Sequence, residues 1–114
     1  MQDVERRRLI IREGFQVGET FPLERDELIL GRDPGVEIQI DSPGVSRQHA
    51  RLTLENGQYF LEDLASSNGT FLNGERLEKR RPLKHGDQIR LGRSVLLEYL
   101  DEQPLASFTM IEDA

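Results

Sequence analysis

Three predicted loops carry the side chains with the most distinctive chemistry in the chain, namely Arg32, Ser46, Arg47, Ser67 and Asn68. Guanidinium groups bind phosphate oxygens in a bidentate manner, hydroxyl and loop N–H groups can satisfy the remaining oxygens, and an amide side chain can both donate to and accept from a peptide backbone. None of these side chains is acidic. The set predicts a site for a tetrahedral dianion, and a phosphate carried on a peptide side chain is the natural candidate.

Two other chemistries fit the sequence less well. A nucleotide-binding loop of the form G-x-x-x-x-G-K-[ST] is absent, and the stretch of residues 31–35 is not followed by a helical pattern whose N-terminus could hold phosphates. Ser46 and His49 could act as nucleophile and base, but side chains three positions apart on one strand point to opposite faces. No oxyanion hole or third catalytic partner is evident. We therefore predict that the protein is not an enzyme and has no catalytic residues.

Composition and charge disfavour several classes of partner. The 114 residues carry 15 Lys and Arg against 21 Asp and Glu, a net charge of −6, whereas a nucleic-acid binder needs a basic surface. The chain has no cysteine, and its two histidines, His49 and His85, have no carboxylates at metal-ligand spacing. No apolar stretch approaches the ~18 residues of a membrane span. We expect no metal, no cofactor, no nucleic acid and no membrane contact, and a cytoplasmic location.

The elements that must position these loops are short β-strands. Apolar and polar residues alternate around residues 36–40, 52–54 and 89–91, and Asn56-Gly57 between two such runs is a strong hairpin signal. Asn73-Gly74 marks a second turn in the same way. Further strands are predicted at residues 9–12, 17–23, 27–30, 59–61, 70–72 and 95–100. Short strands with turn signals about every ten residues predict an all-β sandwich.

Four short motifs in a fixed order resemble the signature of the forkhead-associated (FHA) domain. They are Gly31-Arg32, Ser46-x-x-His49, Ser67-Asn68-Gly69-Thr70 and Asn73-Gly74. Each pair is common by itself, but the ordered set is specific, and the resemblance runs from about residue 9 to residue 100. It implies an eleven-stranded, mainly antiparallel β-sandwich whose loops at one end bind phosphothreonine peptides.

The resemblance also implies roles for single residues. Arg32 and Ser46 would bind the phosphate, and Arg47 would lie beside it. Ser67 would help to form the site for the phosphate and the threonine methyl group, and Asn68 would hold the peptide backbone. Gly31, His49, Gly69, Thr70, Asn73 and Gly74 would support the binding loops.

One position departs from the family pattern. The arginine that often lies two positions before the motif serine, and that reads the third residue after the phosphothreonine, is Gly44 in this chain. Arg93, in the predicted turn at residues 92–94, is the candidate substitute.

Simpler interpretations of the same residues remain open at this point. Arg32 could pair with Asp33 or Asp41, Ser46 could serve as a turn residue after Pro43, and Arg47 could be a solvated arginine. The asparagine-glycine pairs would form turns whatever the function. The alternative function is a phosphate-independent interaction or oligomerisation domain, since sandwich edges can pair with other strands.

We expect three parts along the chain. Residues 1–8 would form an N-terminal extension, residues 9–100 the phosphopeptide-binding domain, and residues 101–114 an acidic tail or linker. The expected function is a phosphothreonine-dependent interaction module in signalling, forming the N-terminal part of a larger regulatory protein. Thr109 in the tail is a candidate phosphosite through which one molecule would bind another.

Overall fold

The computed structural model describes residues 6–102, which form eleven β-strands. These are β1 (Arg7–Glu13), β2 (Thr20–Pro22), β3 (Glu27–Gly31), β4 (Ile38–Gln39), β5 (Ala50–Glu55), β6 (Gln58–Asp63), β7 (Thr70–Leu72), β8 (Glu75–Arg76), β9 (Arg81–Pro82), β10 (Gln88–Leu91) and β11 (Val95–Asp101). Thr109, the candidate phosphosite, lies outside the described residues. No described residue belongs to a helix long and apolar enough to cross a membrane.

The strands form two sheets, one with the order β2-β1-β11-β10-β7-β8 and the other with the order β4-β3-β5-β6-β9. Neighbours are antiparallel, except for the parallel pair β3 and β4. The predicted all-β fold with eleven strands in two mainly antiparallel sheets is confirmed.

The core lies between the two sheets and explains the alternation in the sequence. Leu97 and Tyr99 of β11 are buried, as are Leu52 of β5 and Leu61 of β6. The rings of Tyr59 and Tyr99 meet edge to face, with 6.5 Å between centroids and 74° between planes. Because successive strand residues point to opposite faces, this packing fixes the register and thereby the places where the loops leave the strands.

Two hairpins have the geometry that their sequences predicted. Asn56 and Gly57 have φ angles of 53° and 79° between β5 and β6, and Asn73 and Gly74 have φ angles of 51° and 87° between β7 and β8. Positive φ at both central residues defines a type I′ turn, for which Asn-Gly is preferred.

Three predicted boundaries differ from the structure. The strand expected at residues 17–23 begins at Thr20, because Gln16 and Gly18 take positive φ angles of 38° and 99° that interrupt the extended chain. The strand expected over residues 36–40 is limited to Ile38–Gln39. Strand β1 begins at Arg7, which pairs with Asp101, so that the paired strands extend slightly beyond residues 9–100 on both sides.

The sandwich has two distinct ends. The motif end comprises Arg32 at the exit of β3 and the loops at residues 40–49, 64–69 and 92–94. The terminal end comprises residues 6–8, the turn at residues 56–57, the loop at residues 83–87 and residues 101–102. Three of the four sequence motifs therefore lie at the motif end, and the Asn73-Gly74 turn lies elsewhere.

Candidate functional site

The exit of β3 packs directly against the loop that carries Ser46 and Arg47. The N–H of Arg32 donates to the Ser46 carbonyl at 2.9 Å, and that of Asp33 donates to the Arg47 carbonyl at 3.2 Å. A Cβ added at Gly31 would lie 1.9 Å from the Arg47 carbonyl oxygen. A side chain at Gly31 would therefore push the two loops apart.

His49 is fully buried and joins two loops of the motif end. Its Nδ1 accepts a hydrogen bond from the backbone N–H of Ser46 at 3.0 Å, so its hydrogen is on Nε2, which lies 2.8 Å from the Gly69 carbonyl. The same carbonyl accepts from the N–H of Gly92 at 2.8 Å. Both ring nitrogens of His49 are thus engaged, and neither is free to take a proton from the Ser46 hydroxyl.

Asp63, at the end of β6, organises the next loop, and sequence reasoning missed it. Its carboxylate accepts from the Ser66 hydroxyl at 2.5 Å, the Ser66 N–H at 3.1 Å and the Thr70 hydroxyl at 2.6 Å. The Ser66 hydroxyl in turn accepts from the Gly69 N–H at 2.9 Å. The available signal was the Asp-x-x-Ser spacing, because an Asp side chain commonly bonds backbone groups just ahead of it.

The same contacts set the ionisation of Asp63. Burial alone would raise the pKa of the Asp63 carboxyl. The hydrogen bonds from Ser66 and Thr70 outweigh burial and hold that pKa below its ordinary value. The carboxylate form is therefore the one that orders the loop.

Ser67 and Asn68 face the Ser46 loop across the motif end. The N–H of Ser67 donates to the Ser46 hydroxyl at 3.0 Å, and Nδ2 of Asn68 donates to the Gly44 carbonyl at 3.0 Å. Both side-chain positions are exposed. The two loops thus contact each other while their polar groups stay accessible to a ligand.

The structure brings Arg32, Ser46, Ser67 and Asn68 together around one open groove of about 550 Å³. Asp41 lines the same groove. Arg47 is exposed next to Ser46 but does not line it. Four of the five side chains singled out for their chemistry therefore share one cavity.

The Arg32 side chain forms no ion pair with a carboxylate of the described residues. Its Nε donates to the Val45 carbonyl at 3.0 Å, and it forms no ion pair with Asp33, Asp41 or any other described residue. Asp33 instead accepts from the Gly35 N–H at 3.0 Å. The simpler interpretation of Arg32 as half of a surface ion pair is wrong.

The turn between β10 and β11 packs closely against Gly44 and Asn68. A Cβ at Gly44 would lie 2.0 Å from the Ser94 hydroxyl, and a Cβ at Gly92 would lie 2.9 Å from the Asn68 Cβ. A side chain at position 44 would therefore require the Ser94 hydroxyl to rotate away. Arg93 is exposed and lines a separate cavity on the other side of Asn68.

The remaining supporting residues divide between the two ends. Gly69, with a φ of 88°, and the buried Thr70 lie in the loop that contacts His49 and Asp63. Asn73 and Gly74 form their turn near the terminal end, where Asn73 exchanges hydrogen bonds with Asp87 and Gln88. Within residues 6–102, no three acidic, histidine or cysteine side chains gather closely enough to hold a metal ion.

Comparison with known proteins adds an independent line of information. A model of the FHA domain matches residues 28–92. The glycogen accumulation regulator GarA of Mycolicibacterium smegmatis is 34% identical over 85 residues, which cover 75% of this chain and 53% of that protein. The oxoglutarate dehydrogenase inhibitor of Corynebacterium jeikeium is 34% identical over 85 residues, covering 75% of this chain and 58% of that protein. The chain thus spans about half the length of these curated relatives.

A solved structure shares the whole sandwich. The N-terminal FHA domain of S. cerevisiae Rad53p, determined in complex with a phosphothreonine peptide, superimposes with a TM-score of 0.74 and 26% identity. The match covers 92% of this chain and 98% of that one.

Proposed function

Because this chain belongs to the FHA domain family, we propose that it is a phosphothreonine-dependent protein–protein interaction module in signalling. The observation that carries the proposal is the groove in which the Arg32 guanidinium lies with Ser46, Ser67 and Asn68 and has no carboxylate partner among residues 6–102. A phosphate on threonine adds a charge of about −1.5 to −2 and three strong acceptor oxygens, and these groups can satisfy both.

Each groove residue has a proposed task. Arg32 binds the phosphate through its guanidinium, Ser46 through its hydroxyl, and Arg47 adds positive charge beside it. Ser67 contacts the phosphate and the threonine methyl group. Asn68, whose amide now donates to the Gly44 carbonyl, holds the peptide backbone with the same amide.

The loop contacts also support the proposal that the module is not an enzyme. The Ser46 hydroxyl accepts from the Ser67 N–H, and His49 is occupied on both ring nitrogens. The relatives are named as a regulator and an inhibitor. We assign the activity to residues 9–100, with residues 1–8 as an extension and residues 101–114 as an acidic tail or linker. We also propose a cytoplasmic location.

Calorimetry with three peptides that differ at one position tests the proposal. We expect the phosphothreonine peptide to bind, the phosphoserine peptide to bind about tenfold more weakly because it lacks one buried methyl group, and the threonine peptide not to bind measurably. Equal affinity for all three peptides would favour the phosphate-independent interaction domain instead and would overturn the proposal.

A further inference from the structure

Two arginines beside the groove, unlike many arginines elsewhere in the fold, have no acidic partner in the part of the chain that the structure describes. Arg12 pairs with Glu98 at 2.7 Å, and Arg90 pairs with Glu13 at 3.2 Å. Arg76 and Arg93 form no ion pair with any of residues 6–102. In a chain with a net charge of −6, this leaves two cations available to a ligand.

These two side chains line one cavity on the far side of Asn68. The cavity measures about 320 Å³ and is formed by Asn68, Phe71, Arg76, Arg93 and Ser94. Because Asn68 lines both this cavity and the groove of Arg32, a peptide whose backbone is held by Asn68 lies within reach of both.

The Arg76 guanidinium is held in place rather than free in solvent. Its Cζ lies 5.9 Å from the centroid of the Phe71 ring, and a Cβ built at Gly69 would lie 3.0 Å from the same atom. The ring and the backbone therefore restrict the side chain without neutralising its charge. A restricted guanidinium loses less conformational entropy when it binds an anion.

We propose that the cavity between Arg76 and Arg93 is a second anion subsite, which takes a carboxylate or a second phosphate on the peptide that carries the phosphothreonine. The inference rests on the proposed function of the groove. Two guanidinium groups that line one cavity repel each other, and an anion placed between them removes that repulsion and accepts hydrogen bonds from both.

Titration calorimetry with a peptide series tests the subsite. The reference peptide has one phosphothreonine and neutral flanks. A second set places Asp at each flanking position in turn, and a third set places a second phosphothreonine there. The proteins are the full chain, the double variant Arg76→Gln/Arg93→Gln, and the matched control Arg80→Gln, since Arg80 also lies over a phenylalanine, Phe60, at 4.1 Å but pairs with Glu55.

We expect at least one Asp or doubly phosphorylated peptide to bind the unmodified chain about fivefold more tightly than the reference, as for a partly exposed charge pair. The double variant should lose this gain while its affinity for the reference peptide stays within about twofold. Arg80→Gln should keep the gain. A gain with Asp assigns a carboxylate to the subsite, and a gain only with phosphothreonine assigns a phosphate.

Other results would overturn the inference. It fails if no flanking anion improves binding, if the double variant keeps the gain, or if the variant weakens the reference peptide as much as the acidic ones. An unmodified chain that binds none of the peptides would overturn the proposed function together with the subsite. A chain that binds the reference peptide without any gain overturns the subsite alone.

Discussion

The two ends of the sandwich differ in whether their arginines form ion pairs with carboxylates. At the terminal end, Arg6 pairs with Asp101 at 2.8 Å and Arg8 with Glu102 at 3.3 Å. At the motif end, Arg32, Arg47 and Arg93 have no carboxylate partner among the described residues, and neither has Arg76 of β8, whose side chain lies beside that end. Among residues 6–102, carboxylates thus neutralise Arg6 and Arg8 at the terminal end, whereas these four guanidinium groups at and beside the motif end stay available to a ligand.

The Asn56-Gly57 turn and the loops of the motif end are held differently. The turn follows from the positive φ angles of its two residues, and the Arg7 side chain donates to the Gly57 carbonyl at 2.7 Å. The longer loops of the motif end depend on two side chains, His49 and Asp63, that bond backbone or hydroxyl groups across the loops. Substitutions at the motif end therefore separate into those that remove a ligand contact and those that loosen a loop.

Replacement of Arg32 by alanine should have the largest effect on binding. Loss of one side of a hydrogen-bonded charge pair costs about 2 to 5 kcal/mol, which is about thirty- to several-thousand-fold in affinity. Thermal unfolding should change little, because the Arg32 side chain is exposed and, among the described residues, bonds only the Val45 carbonyl. Calorimetry and a melting curve check both parts. Arg80→Ala serves as the control, because Arg80 pairs with Glu55 away from the groove. Wild-type affinity in Arg32→Ala would contradict the assigned role.

Replacement of His49 by alanine should instead act through stability. The change opens a cavity, leaves the Ser46 N–H without its acceptor and removes one of the two donors to the Gly69 carbonyl, which together cost about 3 kcal/mol. The melting temperature should fall by more than about 10 °C. His85→Ala is the comparison at the terminal end, because His85 is exposed and its Nδ1 accepts from the Asp101 N–H at 3.0 Å.

The comparison of His49→Ala with His85→Ala also has an outcome that would contradict the assigned roles. His85→Ala should lower stability by less than about 1 kcal/mol. If His49→Ala lost binding with an unchanged melting temperature and ordered loops, His49 would be a ligand contact rather than a supporting residue.

Replacement of Asp63 by asparagine should cost about 2 kcal/mol of stability, because several hydrogen bonds to the carboxylate are lost or weakened. The effect should also depend on pH. The pKa of Asp63 is lower in the folded protein than its ordinary value of about 3.9, so the carboxylate stabilises the fold above that value and the contribution disappears as the pH falls through the lowered pKa.

Melting curves of the wild type and Asp63→Asn between neutral and acidic pH measure this dependence. The difference in melting temperature should be constant near neutral pH and should shrink below about pH 4. A difference that stays constant down to the lowest pH would show that the carboxylate charge does not order the loop.

Replacement of Asp41 by asparagine should have the smallest effect and the opposite sign. Asp41 is exposed, lines the groove of Arg32 and Ser46, and forms no ion pair with a described residue. Removing its charge should tighten phosphopeptide binding by about 0.5 kcal/mol, or about twofold. Calorimetry at low salt gives the largest signal, and weaker binding by the variant would show that Asp41 supports the site.

Local patterns predicted the strands and turns, whereas contacts between distant residues could not be predicted. The Asn56-Gly57 and Asn73-Gly74 turns follow from backbone preferences of adjacent residues. The contact between Gly44 and Ser94 depends on two loops that meet only after folding. Strands β8 and β9, each of two residues, are too short to show a period.

The candidate site shows the same division. Polar residue types and motif order indicated Arg32, Ser46, Ser67 and Asn68, which the fold brings to one groove. Asp63 was missed because the Asp-x-x-Ser spacing is common, and only the folded loop shows that the Ser66 and Thr70 hydroxyls both bond this carboxylate. Arg76 was missed because only the folded structure shows that none of the described acidic residues lies close enough to pair with it.

Amide chemical shifts during titration with a phosphothreonine peptide test the central claim most directly, namely that the motif end binds the phosphate. In the ¹⁵N-labelled chain, the amides of Ser46, Ser67 and Gly69 should shift strongly, while those of Gly57 and residues 85–86 at the terminal end should not. The unphosphorylated peptide at the same concentration should leave both ends unchanged. Binding of the phosphopeptide with shifts confined to the terminal end, and an unchanged motif end, would contradict the account.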